Sequence, residues 1–294
     1  MTSGIKNVIL IGAGGNLGPA VLAEFLNSNF DVTVLARETS TSTYPAGTKV
    51  TRSDFSAQSL TEVFKGQDAV ISIVGPTGFA EQNKFVDAAI AAGVKVFIPS
   101  EYGSDTKNPE VLKIAPVLAG KRTLVEYLET QQDKISWMVV IAGPFADWGI
   151  QNEFLQYDIP SKSAVIWDDG DVPVTQSTLS QIGRALVAIL GHPSETANQY
   201  VYISSYTATA NEIVAAFEKA TGVKWDVQTI SLEQTLAAAK EKFSKGEINH
   251  DVIMDLIRAA CYSKEGYCDI RKNLWNGRLG LKEEGLEAVI KGLL

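Results

Sequence analysis

The 294-residue sequence predicts an α/β fold. The expected architecture is a Rossmann-type, doubly wound parallel sheet followed by a smaller, mostly helical C-terminal domain. Three observations carry that expectation. Residues 8–11 form a fully apolar run that breaks into a glycine-rich turn and then continues at helical period. Short apolar runs alternate with helix-length segments through residue 150, the rhythm of βαβ crossovers. Beyond that point the alternation stops and helical patterning dominates.

The first turn, Gly12-Ala-Gly-Gly15-Asn16-Leu17-Gly18, joins a buried strand to a helix over 19–26. Its spacing is Gly-x-x-Gly-x-x-Gly, since Gly-x-Gly-x-x-Gly would need a glycine where Leu17 stands. Gly12 suits a tight turn, Gly15 a close backbone approach to a pyrophosphate, and Gly18 tight helix–strand packing. The N–H groups of the helix start, with Asn16 and Leu17 in the turn, face where phosphates would lie. A strand over 30–36 follows and ends at Arg37. An acid there would serve the ribose hydroxyls of NAD, whereas a guanidinium pairs with the 2′-phosphate of NADP. Asp31 lies at the wrong end of that strand, and Glu38 follows the turning residue. The expected cofactor is NADP(H).

A strand over 48–51 precedes a helix over 56–65, with Asp54 placed either to accept from an adenine amino group or to cap that helix. The run 69–74 reads as a strand ending at Gly75-Pro76, and a helix over 81–92 stops at Gly93. Strands over 94–98 and 136–141 flank a helix over 119–131. Ligands bind at the carboxyl ends of such strands. That edge collects the glycine turn, Arg37, Asp54 and Phe55, Gly75, and the segment holding Pro99, Ser100 and Tyr102. Further on, 164–167 leads into Asp168-Asp-Gly-Asp171, which reads as a hairpin turn because it lacks calcium-loop spacing. A helix over 179–190 and a strand over 199–203 are expected to return to the first sheet. The domain reading is thus 1–150 with a return around 175–205, and 151–294 as mostly substrate domain. Thr209-x-x-Glu212 and Ser231-x-x-Gln234 open two helices. Ile253, Leu256, Ile257 and Ala260 form one apolar face, read as core.

Composition narrows the partners. Net charge is −8, spread over both halves without a basic stripe or tail, which argues against nucleic acid and anionic membrane. The two cysteines, Cys261 and Cys268, and two distant histidines give no metal-ligand spacing. No leader-like segment or membrane-length apolar run is evident, so a small-molecule substrate and a cytoplasmic location are expected. A homo-oligomer stays open.

The chemistry turns on a missing residue. Short-chain dehydrogenases polarise substrate with Tyr-x-x-x-Lys, but four residues before Lys121 stands Val117, and Tyr102 is followed by Thr106. Such a chain uses Lys121 alone, recruits another hydroxyl, or does no chemistry. A lysine whose pKa is lowered can act as general acid or base.

Several of these pieces together resemble the NmrA-like, isoflavone reductase-like branch of the atypical short-chain dehydrogenases. The matching residues are the turn 12–18, Leu35-Ala-Arg37, Gln82, the run 92–103 with Pro99-Ser-Glu-Tyr-Gly103, Lys121 with Glu126, and Gly143-Pro144-Phe145-Ala-Asp147. They cover about the first 150 residues. The resemblance implies an NADP-binding Rossmann domain, Lys121 as acid/base, and the segment Gly143, Pro144 and Phe145 at the nicotinamide. Trp148, Phe154, Tyr157 and Trp167, with Tyr102 and Phe145, would wall a flat aromatic substrate. It implies either an NADPH-dependent reductase of phenylpropanoid-, isoflavonoid- or quinone-like molecules or an NADP(H)-sensing regulator without turnover.

Overall fold

A computed structural model describes residues 4–294. The chain begins with β1 (Asn7–Ile11), α1 (Gly18–Leu26), β2 (Asp31–Arg37), β3 (Lys49–Ser53) and α2 (Ala57–Phe64). Then come β4 (Ala69–Ser72), α3 (Gln82–Ala91), β5 (Val96–Ile98), α4 (Pro109–Ile114), α5 (Ala119–Thr130) and β6 (Ser136–Ile141). Short elements follow: α6 (Ala146–Gln151), β7 (Tyr157–Asp158), β8 (Ser163–Trp167) and β9 (Val174–Gln176). After α7 (Leu179–Gly191) and α8 (Pro193–Thr196) lie β10 (Gln199–Tyr202), β11 (Tyr206–Ala208), α9 (Ala210–Thr221) and β12 (Asp226–Ile230). The chain closes with α10 (Leu232–Ser244), α11 (His250–Cys261) and α12 (Leu286–Leu293).

Seven strands form one sheet in the order β10-β6-β5-β4-β1-β2-β3. Every pair from β3 to β6 is parallel. The bonds Asn198 N to Trp137 O and Ile203 N to Ile141 O climb together, so β10 is parallel as well. The order reverses between β1 and β4, which creates the crevice where α/β sheets bind ligands. Val8, Ile9, Leu10 and Ile11 are each at most 1% exposed, as a central strand covered on both faces requires. Val21, Leu22 and Phe25 of α1 pack as its buried stripe. Ser56 caps α2 by accepting from Ser59 N.

The described residues divide into two compact units. The first runs up to Tyr102 and adds Gly120–Val140 and Ile182–Val201; the second holds Gly103–Ala119, Ile141–Gln181 and Tyr202–Leu294. Within the second unit, helices accompany two small sheets, β12-β8-β7 and β11-β9. The capping box at Thr209 and Glu212 is present, and α9 ends on Gly222 in the left-handed region. Phe217 stacks on Trp225 at 4.4 Å between centroids. Leu256 and Ala260 are buried as expected, joined by Val252, and pack with Val111, Ala115 and Leu118.

One expectation needs correcting. The acidic turn at 168–171 does not close a hairpin: β8 pairs with β12 and β7, while β9 pairs with β11 in a different sheet. The reason lies in partners distant in sequence. Asp168, at φ +52°, turns its carboxylate to accept from Leu232 N, and Asn211 donates to Asp169 O and Asp171 Oδ1. The turn therefore braces the starts of α9 and α10.

Candidate functional site

The glycine turn is shaped by three different constraints. Gly12 has φ +95°, and a Cβ there would lie 2.7 Å from Ile73 O. At Gly18 a Cβ would lie 2.2 Å from Ala13 O, so both positions are closed by the protein itself. Gly15 differs: a Cβ would meet only Gly12 O at 3.3 Å and otherwise project into open space. Leu17 precedes α1 with no side-chain cap; Gly18 N donates to Gly15 O, Pro19 has no N–H, and Val21 N donates to Leu17 O, so the turn and the helix start are tightly wound together.

Arg37, at the carboxyl end of β2, holds its guanidinium 5.0 Å above the Phe55 ring. Phe55 adopts φ +61°, fixed by its N–H donating to Ser53 Oγ and by edge contact with Phe85 at 5.4 Å. Together with Gly12, Gly15 and Gly75 these residues line a cleft of about 420 Å³ in the first unit. Gly75 has open space where a side chain would be. Asp54 and Glu38 are not part of that lining. The Asp54 carboxylate accepts from Ser56 N, and that bond holds its pKa below the ordinary value. Asn16 is exposed and Leu17 is buried beneath the turn.

The loop after β5 carries the second cluster. Ser100 N donates to Gln82 Oε1 at 2.8 Å, and Ser100 Oγ donates to Val74 O at 2.7 Å. Its hydroxyl proton is thus committed to tying two strand ends together. Pro99 accepts from Glu101 N through its carbonyl. Lys121 Nζ donates to Glu101 O at 2.5 Å and sits 5.1 Å over the Phe79 ring. Burial pulls the Lys121 pKa below its usual value, and the buried Glu101 beside it opposes part of that shift. Arg122, its neighbour in sequence, pairs with Glu126, Glu129 and Tyr200 instead. Tyr102 is held at φ +38°, 4% exposed, with a hydroxyl that has no partner among the described residues.

The remaining predicted positions belong to the second unit. Gly143 has φ +65° and would place a Cβ 1.9 Å from Thr175 O, so packing alone forbids a side chain there. Pro144 O accepts from Ser177 N. Phe145, Trp148 and Phe154 are half-buried and form a row, 6.4 Å and 6.2 Å between successive centroids. Tyr157, by contrast, is 1% exposed and packs on Phe217, and Trp167 is buried against Tyr262. These two are core, so the aromatic row narrows to three. No group of histidine, cysteine and acidic side chains among the described residues could hold a metal.

Sequence reading passed over Phe79 and the hydroxyl-bearing segment after Arg37, both of which flank predicted residues.

Comparison with known proteins now places the chain. The model of the NmrA-like family matches residues 5–270. The chain belongs to the NmrA-like family. Its relatives include the oxidoreductase aprR of Aspergillus flavus, 37% identical over 246 residues, covering 82% of each protein. An isoflavone reductase homolog of Zea mays is 28% identical, again over 82% of each. A solved structure described as AtPrR2 with NADP+ and (+)-pinoresinol superposes with a TM-score of 0.80, covering 99% of each chain at 21% identity. That last likeness establishes the fold. This NmrA-like protein therefore sits among oxidoreductases of its family. No helix among its described residues is long and apolar enough to cross a membrane.

Proposed function

We propose that this protein is an NADPH-dependent reductase of small aromatic molecules. The observation that carries the reading is the first-unit cleft: a glycine turn with room left at Gly15, and Arg37 stacked on Phe55 at the end of β2. The residues present fit a phosphorylated dinucleotide. The uncapped start of α1 would receive the pyrophosphate, Arg37 the 2′-phosphate, and Phe55 the adenine face. Phe145, Trp148 and Phe154 supply apolar surface suited to a flat substrate. NADP+ and pinoresinol accompany the structural neighbour, and an isoflavone reductase homolog stands among the relatives, which supports the same reading.

When bound, the nicotinamide supplies hydride to an electrophilic carbon. The chain's own contribution is the proton. Lys121, partly desolvated and oriented by Glu101 O, holds an acidic N–H that can polarise or protonate the oxygen on which charge develops. Deprotonated Lys121 then recovers its proton from solvent.

The test is NADPH oxidation followed optically against a panel of phenylpropanoids, isoflavonoids and quinones. Turnover with at least one panel member is expected. Tight NADPH binding with no turnover across the panel would shift the assignment to a sensor of NADP(H).

A further inference from the structure

The glycine turn contains one glycine that the Gly12, Gly15, Gly18 spacing does not require. Gly14 has no left-handed φ, so its backbone conformation does not call for it. What excludes a side chain is a neighbour: a Cβ on Gly14 would lie 2.4 Å from Ser42 Oγ and 2.8 Å from Ser42 Cβ, with Tyr44 Oη at 3.5 Å. The chain after β2 therefore lies directly against the phosphate-binding turn.

That segment alternates as an extended chain does. Ser40, Ser42 and Tyr44 are half-buried and line the cleft, whereas Thr41 and Thr43 are exposed and do not. It is anchored at both ends. Arg52 Nη1 donates to the carbonyls of Arg37 and Ser40, at 3.0 and 2.9 Å. Thr48 closes the far end, donating through both N and Oγ1 to Pro45 O. The Ser42 and Tyr44 hydroxyls have no protein partner among the described residues.

We infer that residues 39–44 form a clasp on the 2′-phosphate of the cofactor, with Ser42 Oγ and Tyr44 Oη as donors beside Arg37. The inference rests on the NADP(H) reading above. One guanidinium cannot satisfy all the oxygens of a phosphate carrying close to two negative charges. Neutral hydroxyls lining the same cleft supply the missing donors, and a bare Gly14 lets their segment seat against the turn.

Calorimetric titration of NADP+, 2′,5′-ADP and NAD+ tests this, using the full chain and its Ser42→Ala/Tyr44→Phe and Gly14→Ala variants. The double variant should lose roughly tenfold or more in affinity for the two 2′-phosphorylated ligands, as expected for hydrogen bonds to a charged group. Its NAD+ affinity should not change. Gly14→Ala, which displaces Ser42 while keeping both hydroxyls, should likewise lower NADP+ affinity. Unchanged NADP+ affinity in the double variant overturns the clasp, as does an equal loss for NAD+ and NADP+. Should Gly14→Ala fail to fold, the double variant decides alone, because it removes two half-exposed oxygens from a surface segment. Wild-type protein that binds none of the three ligands would remove the cofactor reading and the clasp together. Wild-type binding with indifferent variants removes the clasp only.

Discussion

Arg37 and Lys121 show how far single side chains can be read before a structure exists. Position alone marks Arg37 as the end of a second strand, and the structure adds the Phe55 ring beneath its guanidinium. A charge-assisted hydrogen bond from such a guanidinium to a phosphate contributes about 1.5–3 kcal/mol. Arg37→Ala should therefore weaken NADPH roughly tenfold to a hundredfold and leave NADH nearly untouched. Titration of both cofactors checks it; a variant that keeps its preference would show that the guanidinium does not meet the phosphate. Lys121 was legible as a lone lysine at a helix start, but its surroundings were not. The Glu101 carbonyl comes from a loop twenty positions earlier in sequence and Phe79 from another, and no local pattern encodes that meeting. Because burial lowers its pKa, the protonated acid is lost at a lower pH than for an ordinary lysine. The kcat of a reductase should fall as pH rises through that lowered value. Lys121→Ala should reduce kcat about 10²–10⁴-fold and flatten the alkaline limb, with much less effect on NADPH affinity. An unaltered pH profile in the variant would reassign Lys121 to binding.

At the scale of elements, local chemistry was readable wherever it was self-contained. The β1–α1 turn, the capping box at Thr209 and the alternation through β6 are written in contiguous residues, and propensity and tertiary packing agree there. The turn at 168–171 was misread because its acceptors serve amides of two helices far along the chain. The strand β12 escaped notice for a related reason. Its residues Asp226 to Thr229 are exposed, so no apolar period marks them, and only pairing with β8 makes them a strand. The glycine turn separates folding from binding within a single element. Gly12 and Gly18 are closed by backbone, whereas Gly15 faces open space with one neighbour at 3.3 Å. Gly15→Val should thus leave a folded protein by circular dichroism yet abolish NADPH binding, since the branched side chain occupies the phosphate position. Normal binding by the folded variant would move the phosphate off this turn.

Across the whole molecule, the net charge of −8 makes the response to pH a balance of opposed carboxylates. Asp68 is partly buried, which works against ionisation, yet the hydrogen bonds from Lys95, Asn7 and Lys6 hold its pKa below the ordinary value. Asp269, beside Arg271, is likewise lowered. Groups of this kind add stability above their unfolded pKa and lose it as pH falls through the folded one. Asp105 works the other way. Burial raises its pKa, and the Tyr202 hydroxyl at 3.1 Å and Lys107 N at 3.0 Å offset only part of that. Lys107 and Cys268 are the other titratable neighbours that bear on it. A raised folded pKa means that the native state holds the proton longer than the unfolded chain does. Its favourable contribution is complete in acid and is lost as pH rises through the folded value, so at neutral pH the ionised Asp105 opposes folding. Asp105→Asn keeps the shape and one acceptor oxygen while removing the titration. The melting temperature of the variant, measured against wild type, should rise progressively from acid to neutral pH. A constant offset between the two proteins across that range would mean that Asp105 titrates alike in both states, and that the pH response belongs to the surface carboxylates alone.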